Sequence, residues 1–180
     1  MPDPPPSVSF SATRLLNDRA LLAECRVDTY RSGGPGGQKR QKTSNGVRIV
    51  HAPTGLTATS TEWRSLAENK LHALRRLRLK FAADLRAPID LAHFEPPEWF
   101  LTIRRQNQVE ASHRHPLYAA AAGLMLDLLQ ATGGNPAHVA VNLGVSTTAV
   151  IRFLEHEPHL WEAANRIRAG LGLAALVHRR

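Results

Sequence analysis

The chain has 180 residues, 43% hydrophobic and 21% charged, which suits a soluble globular protein of one or two modest domains and excludes a collagen-like or wholly disordered chain. Twenty-three Lys and Arg against fifteen Asp and Glu leave a formal charge of +8, a balance that favours a polyanionic partner: nucleic acid or an anionic membrane surface. The single cysteine, Cys25, excludes an internal disulfide, and the opening Met-Pro-Asp-Pro-Pro-Pro lacks the basic stretch and apolar core of a secretory signal, so a cytoplasmic protein is expected.

In chain order, the Pro-rich first ten residues are expected to be disordered. A short helix is predicted from Asp18 to Glu24, with Asn17 as its cap and Leu16 and Leu21 spaced as a hydrophobic staple; residues 1–24 form an N-terminal extension. Cys25 to Arg31 reads as a strand with Val27 on one face, followed by a glycine-rich loop from Ser32 to Gln38. Val47 to His51 and Leu56 to Ser60 read as two more strands, joined by the turn Ala52-Pro53-Thr54-Gly55. Ser65-Leu66-Ala67-Glu68 is a capping box opening a helix whose apolar stripe is Ala67, Leu71, Leu74, Leu77 and Phe81. Strands first and a helix behind them predict a small α+β domain over residues 25–86, a three-stranded sheet packed on a helix.

Residues 87–114, rich in Pro, charge and amides, read as a linker. Beyond it, 115–178 is Ala- and Leu-rich and all-helical. Pro116 to Gln130 is one helix, a second opens at Asn135-Pro136 and closes at Gly144, Ser146 caps a third to about His156, and Pro158 to Ala169 is a fourth stopped by Gly170. The apolar run Leu117 to Leu129 contains Asp127 and is too short to span a bilayer, so no membrane partner is expected.

Charge is not spread evenly. Between Arg26 and Arg86 lie thirteen Lys and Arg against four acids, and the rest of the chain has ten bases against eleven. Ordinary solvated faces mix their signs, so a polyanion-binding surface is the favoured reading of this segment. Within it, Arg31-Ser32-Gly33-Gly34-Pro35-Gly36-Gly37-Gln38-Lys39-Arg40-Gln41-Lys42-Thr43 stands between two strands. A merely flexible loop explains the glycines but not the dense basic flank. A phosphate-binding P-loop is excluded: Gln41 stands where the second glycine must be, and a strand rather than a helix follows.

The order of Val27-Asp28-Thr29-Tyr30-Arg31-Ser32-Gly33-Gly34-Pro35-Gly36-Gly37-Gln38, Lys42-Thr43, Val47-Arg48-Ile49, Pro53-Thr54-Gly55 and Arg64-Ser65 with Asn69-Lys70 resembles the catalytic domain of class I peptide-chain release factors. Stand-alone ribosome-rescue peptidyl-tRNA hydrolases share that domain. The resemblance covers Arg26 to about Lys80. It implies that the Gly-Gly-Gln tip enters the peptidyl transferase centre of the large ribosomal subunit and releases the nascent chain by hydrolysis of peptidyl-tRNA. Gly36, Gly37 and Gln38 are then the catalytic residues: the glycines supply torsions closed to other residues and close approach to RNA. The Gln38 backbone N–H serves the developing oxyanion or the leaving 3′ oxygen, while its side chain helps position or size-select water. The loop holds no carboxylate or histidine as general base, and the resemblance assigns that work to ribosome and tRNA. Arg31, Lys39, Arg40, Lys42 and Arg64 are candidate contacts to rRNA phosphates, and Arg75, Arg76 and Arg78 either join them or solvate the helix. No cofactor and no metal are implied; a glutamine methyltransferase acting on Gln38 is an implied partner.

Departures from the family refine the expectation. About two dozen residues precede the catalytic segment, too few for a stop-codon-reading domain, so codon-independent release is expected. The four-residue turn Ala52 to Gly55 leaves no space for the helix that one rescue-hydrolase type inserts there; the terminal bases are only Arg179-Arg180 where that type has a long basic tail, and Gln41 stands where the family usually has Asn. Pro136 to Arg152 resembles a helix-turn-helix, with Gly144 as turn, Ser146 as cap, and Val139, Leu143, Val150 and Leu154 as core. Its second helix offers a nucleic acid only Thr147, Thr148 and Arg152, with Glu155 and Glu157 opposing, so a structural or protein-docking role is favoured over DNA reading. His138, His156 and His159 lack metal-ligand spacing. The competing reading is a non-catalytic RNA- or DNA-binding regulator that keeps a release-factor-like domain beside its helix-turn-helix.

Overall fold

The computed structural model describes residues 10–31 and 45–177. The chain is mixed α/β and divides into two compact units, Met1–Lys80 and Phe81–Arg180. The first unit contains α1 (Phe10–Leu15), α2 (Asp18–Ala23), an antiparallel sheet of β1 (Cys25–Tyr30), β2 (Gly46–His51) and β3 (Thr57–Ser60), and most of α3 (Leu66–Asp84). The predicted disorder of the first ten residues lies almost wholly outside the described residues, and the short α1 has no counterpart in the sequence reading.

Alternation along the strands separates the two faces of the sheet. Register places Val27 opposite Ile49, Thr29 opposite Val47, and Ile49 opposite Ala58. On that face Val47, Ile49, His51, Ala58 and Ser60 are buried, and with Leu21 and the inner row of α3 they make the core of the unit. Val27 lies on the core side but is an exposed residue of an edge strand. The opposite face carries Arg26, Asp28, Arg48, Thr57 and Thr59.

Caps form where the sequence places them. Asn17 accepts a hydrogen bond from Ala20 N–H, and Ser65 Oγ accepts one from Glu68 N–H at 3.3 Å. The stripe of α3 needs correcting. Leu74, Leu77 and Phe81 are buried as predicted, but Ala67 and Leu71 are exposed, and the inward row in the first turns is Asn69, Ala73 and Leu77. Reading apolar residues alone passes over a polar side chain at an i, i+4 core position. The other edge, β3, is covered by the same helix: Arg76 Nη1 donates to Thr59 O and Lys80 Nζ to Thr57 O, each at 2.7 Å. Buried His51 closes the β2–β3 turn, its Nδ1 bonded to Thr54 Oγ1 at 2.8 Å and its Nε2 donating to the Glu24 carboxylate at 2.9 Å.

The second unit contains the end of α3, α4 (Glu98–Ile103), a hairpin of β4 (Arg104–Arg105) and β5 (Gln108–Val109), α5 (Tyr118–Ala131), α6 (Pro136–Leu143), α7 (Thr147–Glu155) and α8 (Pro158–Gly170). The stretch 87–114 therefore is not a featureless linker. Its Pro and charge content hid Phe100, Ile103 and Ala111, which are buried. Helix α5 is buried over most of its length, and its Asp127 receives the Arg86 guanidinium at 3.2 Å and the Ala87 N–H at 3.1 Å. Asn135 caps α6, Gly144 ends it at φ +64°, and Ser146 caps α7 through Ala149 N–H. Helices α6 and α7 meet at 109°, with Val139, Leu143, Val150 and Leu154 buried between the helices of this unit. The β4–β5 hairpin sits at that turn: Asn107 O accepts from Ser146 N–H at 2.8 Å and Arg104 Nη1 donates to Leu143 O at 3.2 Å. No helix among the described residues is by itself long and apolar enough to cross a membrane.

Candidate functional site

The segment bearing the Gly-Gly-Gln sequence joins β1 to β2, and its two stems leave the sheet side by side, since Tyr30 and Gly46 are the last register pair. Gly46 is required there. A Cβ at this position would lie 2.9 Å from the Tyr30 carbonyl oxygen and 3.0 Å from the Tyr30 ring, so only glycine lets the two stems approach this closely. Gly36, Gly37, Gln38, Lys39, Arg40 and Lys42 lie outside the described residues. Arg31 and Arg64 are described, and both are exposed.

Arg31 directly follows β1. Arg64 follows Trp63 in the turn between β3 and α3, and a hydrogen-bond network ties that turn to the loop's second stem. Asn45 Nδ2 donates to Trp63 O at 3.3 Å, while Asn69 Nδ2 donates to Asn45 O at 2.8 Å and to Trp63 O at 2.7 Å. The fold thus brings the Arg64 turn to the stem of a loop some twenty residues earlier in the chain. Trp63 is exposed and stacks on His72, ring centres 5.0 Å apart. Asn45 Oδ1 is buried without a hydrogen-bond partner among the described residues.

Two of the helical bases have structural work. Arg76 binds Thr59 O and the Glu62 carboxylate, and Arg78 donates to Leu16 O at 2.6 Å and Asp18 Oδ1 at 2.8 Å. They are anchors between helix and sheet or helix and N-terminal segment, and Arg75 is half-buried beside them. The Glu62 carboxyl is held down to about 2, first by the Ser60 hydroxyl and then by Arg76, so it stays charged and accepts hydrogen bonds. Burial and the neighbouring Glu24 push the Cys25 thiol up, which keeps it protonated at neutral pH and removes it as a nucleophile. Among the described residues no three His, Cys, Asp or Glu side chains converge as a metal site. In the second unit His156 meets His113 at 3.4 Å, a pair that spacing in the sequence does not suggest.

The residue that sequence reading misses is Asn69. It stands in the Asn69-Lys70 portion of the family motif, where the sequence assigns it no task. The signal that could find it is a polar residue at a core-facing position of an amphipathic helix.

Part of this sequence is shared with known proteins. The chain matches the RF-1 domain family over residues 21–95. It is 40% identical over 93 residues to peptide chain release factor 2 of Treponema pallidum, covering 52% of this chain and 25% of that protein. Over 57 residues it is 49% identical to peptide chain release factor 2 of Nocardia farcinica, 32% of this chain and 15% of that one. Over 73 residues it is 41% identical to peptide chain release factor 1 of Caulobacter vibrioides, 41% of this chain and 20% of that one. The chain spans a quarter or less of the length of these relatives. Over residues 21–95 the chain thus carries a match to the RF-1 domain, and that part of it is similar to peptide chain release factors 1 and 2.

Proposed function

We propose that the protein hydrolyses peptidyl-tRNA on the ribosome, independently of a stop codon. One observation carries this reading: an intact Gly36-Gly37-Gln38 sequence lies in an RF-1 domain, between stems that the Tyr30–Gly46 pair holds together. In the proposed reaction water adds to the ester carbonyl carbon of peptidyl-tRNA, the bond to the tRNA 3′ oxygen breaks, and the proton from water ends on that oxygen. Gly36 and Gly37 let the backbone turn and approach RNA, and the Gln38 N–H stabilises the developing oxyanion or the leaving oxygen. Arg31, Lys39, Arg40, Lys42 and Arg64 hold rRNA phosphates, so the protein's contribution is orientation and electrostatics. Large-subunit rRNA and peptidyl-tRNA are the partners, a glutamine methyltransferase acts on Gln38, and the reaction takes place in the cytoplasm. Residues 115–178 form a helix-turn-helix-like domain with a structural or protein-docking role.

A second reading, a non-catalytic nucleic-acid-binding regulator, draws on the 109° meeting of α6 and α7 with the hairpin's Asn107 seated on the Ser146 cap. Release of a labelled nascent peptide from purified ribosomes carrying truncated, sense-codon and stop-codon messages separates the two. The expected result is release on the truncated message, abolished by Gly37→Ala and reduced less by Gln38→Ala. No release on any message while the protein still binds ribosomes would overturn the hydrolase and favour the regulator.

A further inference from the structure

We propose that Asn69 is a positioning residue for peptide release: it fixes the stem by which the Gly-Gly-Gln loop returns to the sheet. The inference rests on the hydrolase reading and adds a residue to it. Asn69 is fully buried in the first turn of α3. It occupies a core-facing row that Ala73 and Leu77 continue. A leucine there would extend the apolar stripe and favour the helix, since Asn is a weaker helix former and competes for backbone hydrogen bonds. A buried amide at such a place is explained by what it holds.

It holds two separate segments. Its Oδ1 accepts from Trp63 N–H at 3.1 Å and faces Ser60 Oγ at 3.0 Å, while its Nδ2 donates to Trp63 O and Asn45 O. The one Ser60 proton is shared between Asn69 and Glu62 Oε2, the shorter distance of 2.6 Å being to Glu62. Both hydrogens of the amide thus go to carbonyls, and one of those carbonyls is the backbone of Asn45, the residue before Gly46. The stem is fixed twice: by register with Tyr30 at Gly46, and by the Asn69 amide one residue earlier. The amide ties the stretch from the end of β3 through Trp63, 6 to 9 residues before it, to the loop stem 24 residues before it. Catalysis by orientation is sensitive to such a brace, because misplacement of about 1 Å can cost on the order of 100-fold in rate.

Three variants test this in the full chain. Asn69→Leu fills the same space without hydrogen bonds. Asn69→Asp keeps the oxygen toward Trp63 N–H and Ser60 but loses the donors to the two carbonyls. Asn69→Ala reports the simple loss. Single-turnover release at saturating protein, ribosome affinity, thermal unfolding and amide hydrogen exchange are measured for each. The expected result for folded Asn69→Leu is ribosome affinity within about threefold of the parent, release slowed about 10- to 100-fold, and faster exchange at the Gly46 and Val47 stem and at the Trp63 amide, which loses its acceptor. Asn69→Asp should share the slow release. A folded Asn69→Leu that releases peptide within about twofold of the parent rate would overturn the proposal. If the parent itself releases nothing, the hydrolase reading fails, and exchange at Gly46 decides the brace alone: unchanged protection in Asn69→Leu rejects it.

Discussion

Hydrogen bonds and charges of single side chains set the local chemistry of the first unit. Glu62 is a clear case, because its carboxylate accepts from Ser60 and Arg76 and its pKa falls to about 2 from an ordinary 4.5. A depressed carboxylate contributes stability that is present above about pH 4.5 and lost as pH falls through 2. Glu62→Gln is therefore expected to be less stable than the parent at pH 6, the difference shrinking below pH 4.5 and vanishing near pH 2. Because about half of that side chain is exposed, the difference should stay below about 1 kcal/mol in denaturant titrations at each pH. At this scale the sequence is informative wherever neighbours in the chain suffice. Asn17, Asn135 and Ser146 cap the helices they precede, and Gly144 ends α6 in the left-handed region, all legible from local residue types. Asn69 is not legible in this way, since Asn45, Ser60 and Trp63 meet it only after the chain has folded.

Elements are held by faces rather than by single contacts, and α3 shows how a face can be misread. Its exposed Leu71 and buried Leu77 both belong to the apolar repeat of the sequence, yet only one faces the core. Leu77→Ala should destabilise the protein by about 2–5 kcal/mol through lost burial and the cavity left behind. Leu71→Ala should stay within about 0.5 kcal/mol of the parent in the same urea unfolding measurement. Equal costs would show that the stripe follows the sequence repeat after all. The three strands are legible because β-branched residues, the Pro-Thr-Gly turn and the loop glycines mark their ends. The helix Glu98–Ile103 and the following hairpin are not, because six-residue and two-residue elements offer little periodicity and their flanks are rich in Pro and charge.

Across the whole molecule the charge follows the division into units. Residues 1–80 carry fourteen bases against six acids, while 81–180 balance nine against nine, so the first unit holds the entire surplus. A polyanion such as rRNA is expected to meet the first unit, and its affinity to fall with salt. Replacing Lys39, Arg40 and Lys42 together by Glu should weaken ribosome binding and lower the slope of log affinity against log salt by about one for each phosphate no longer neutralised. An unchanged slope in sedimentation or filter binding would place the RNA-binding surface elsewhere on the protein. The sequence alone determined the charge surplus, the motif, the three strands and most caps, because charge, glycine torsions and short-range hydrogen bonds are properties of residues and their neighbours. Tertiary structure decided which bases are spent on the fold, as Arg76 and Arg78 are, that Gly46 must be bare beside Tyr30, and that Asn69 braces Asn45. Those outcomes depend on burial and on partners 16 to 62 residues apart, which only the closed chain brings within hydrogen-bond distance.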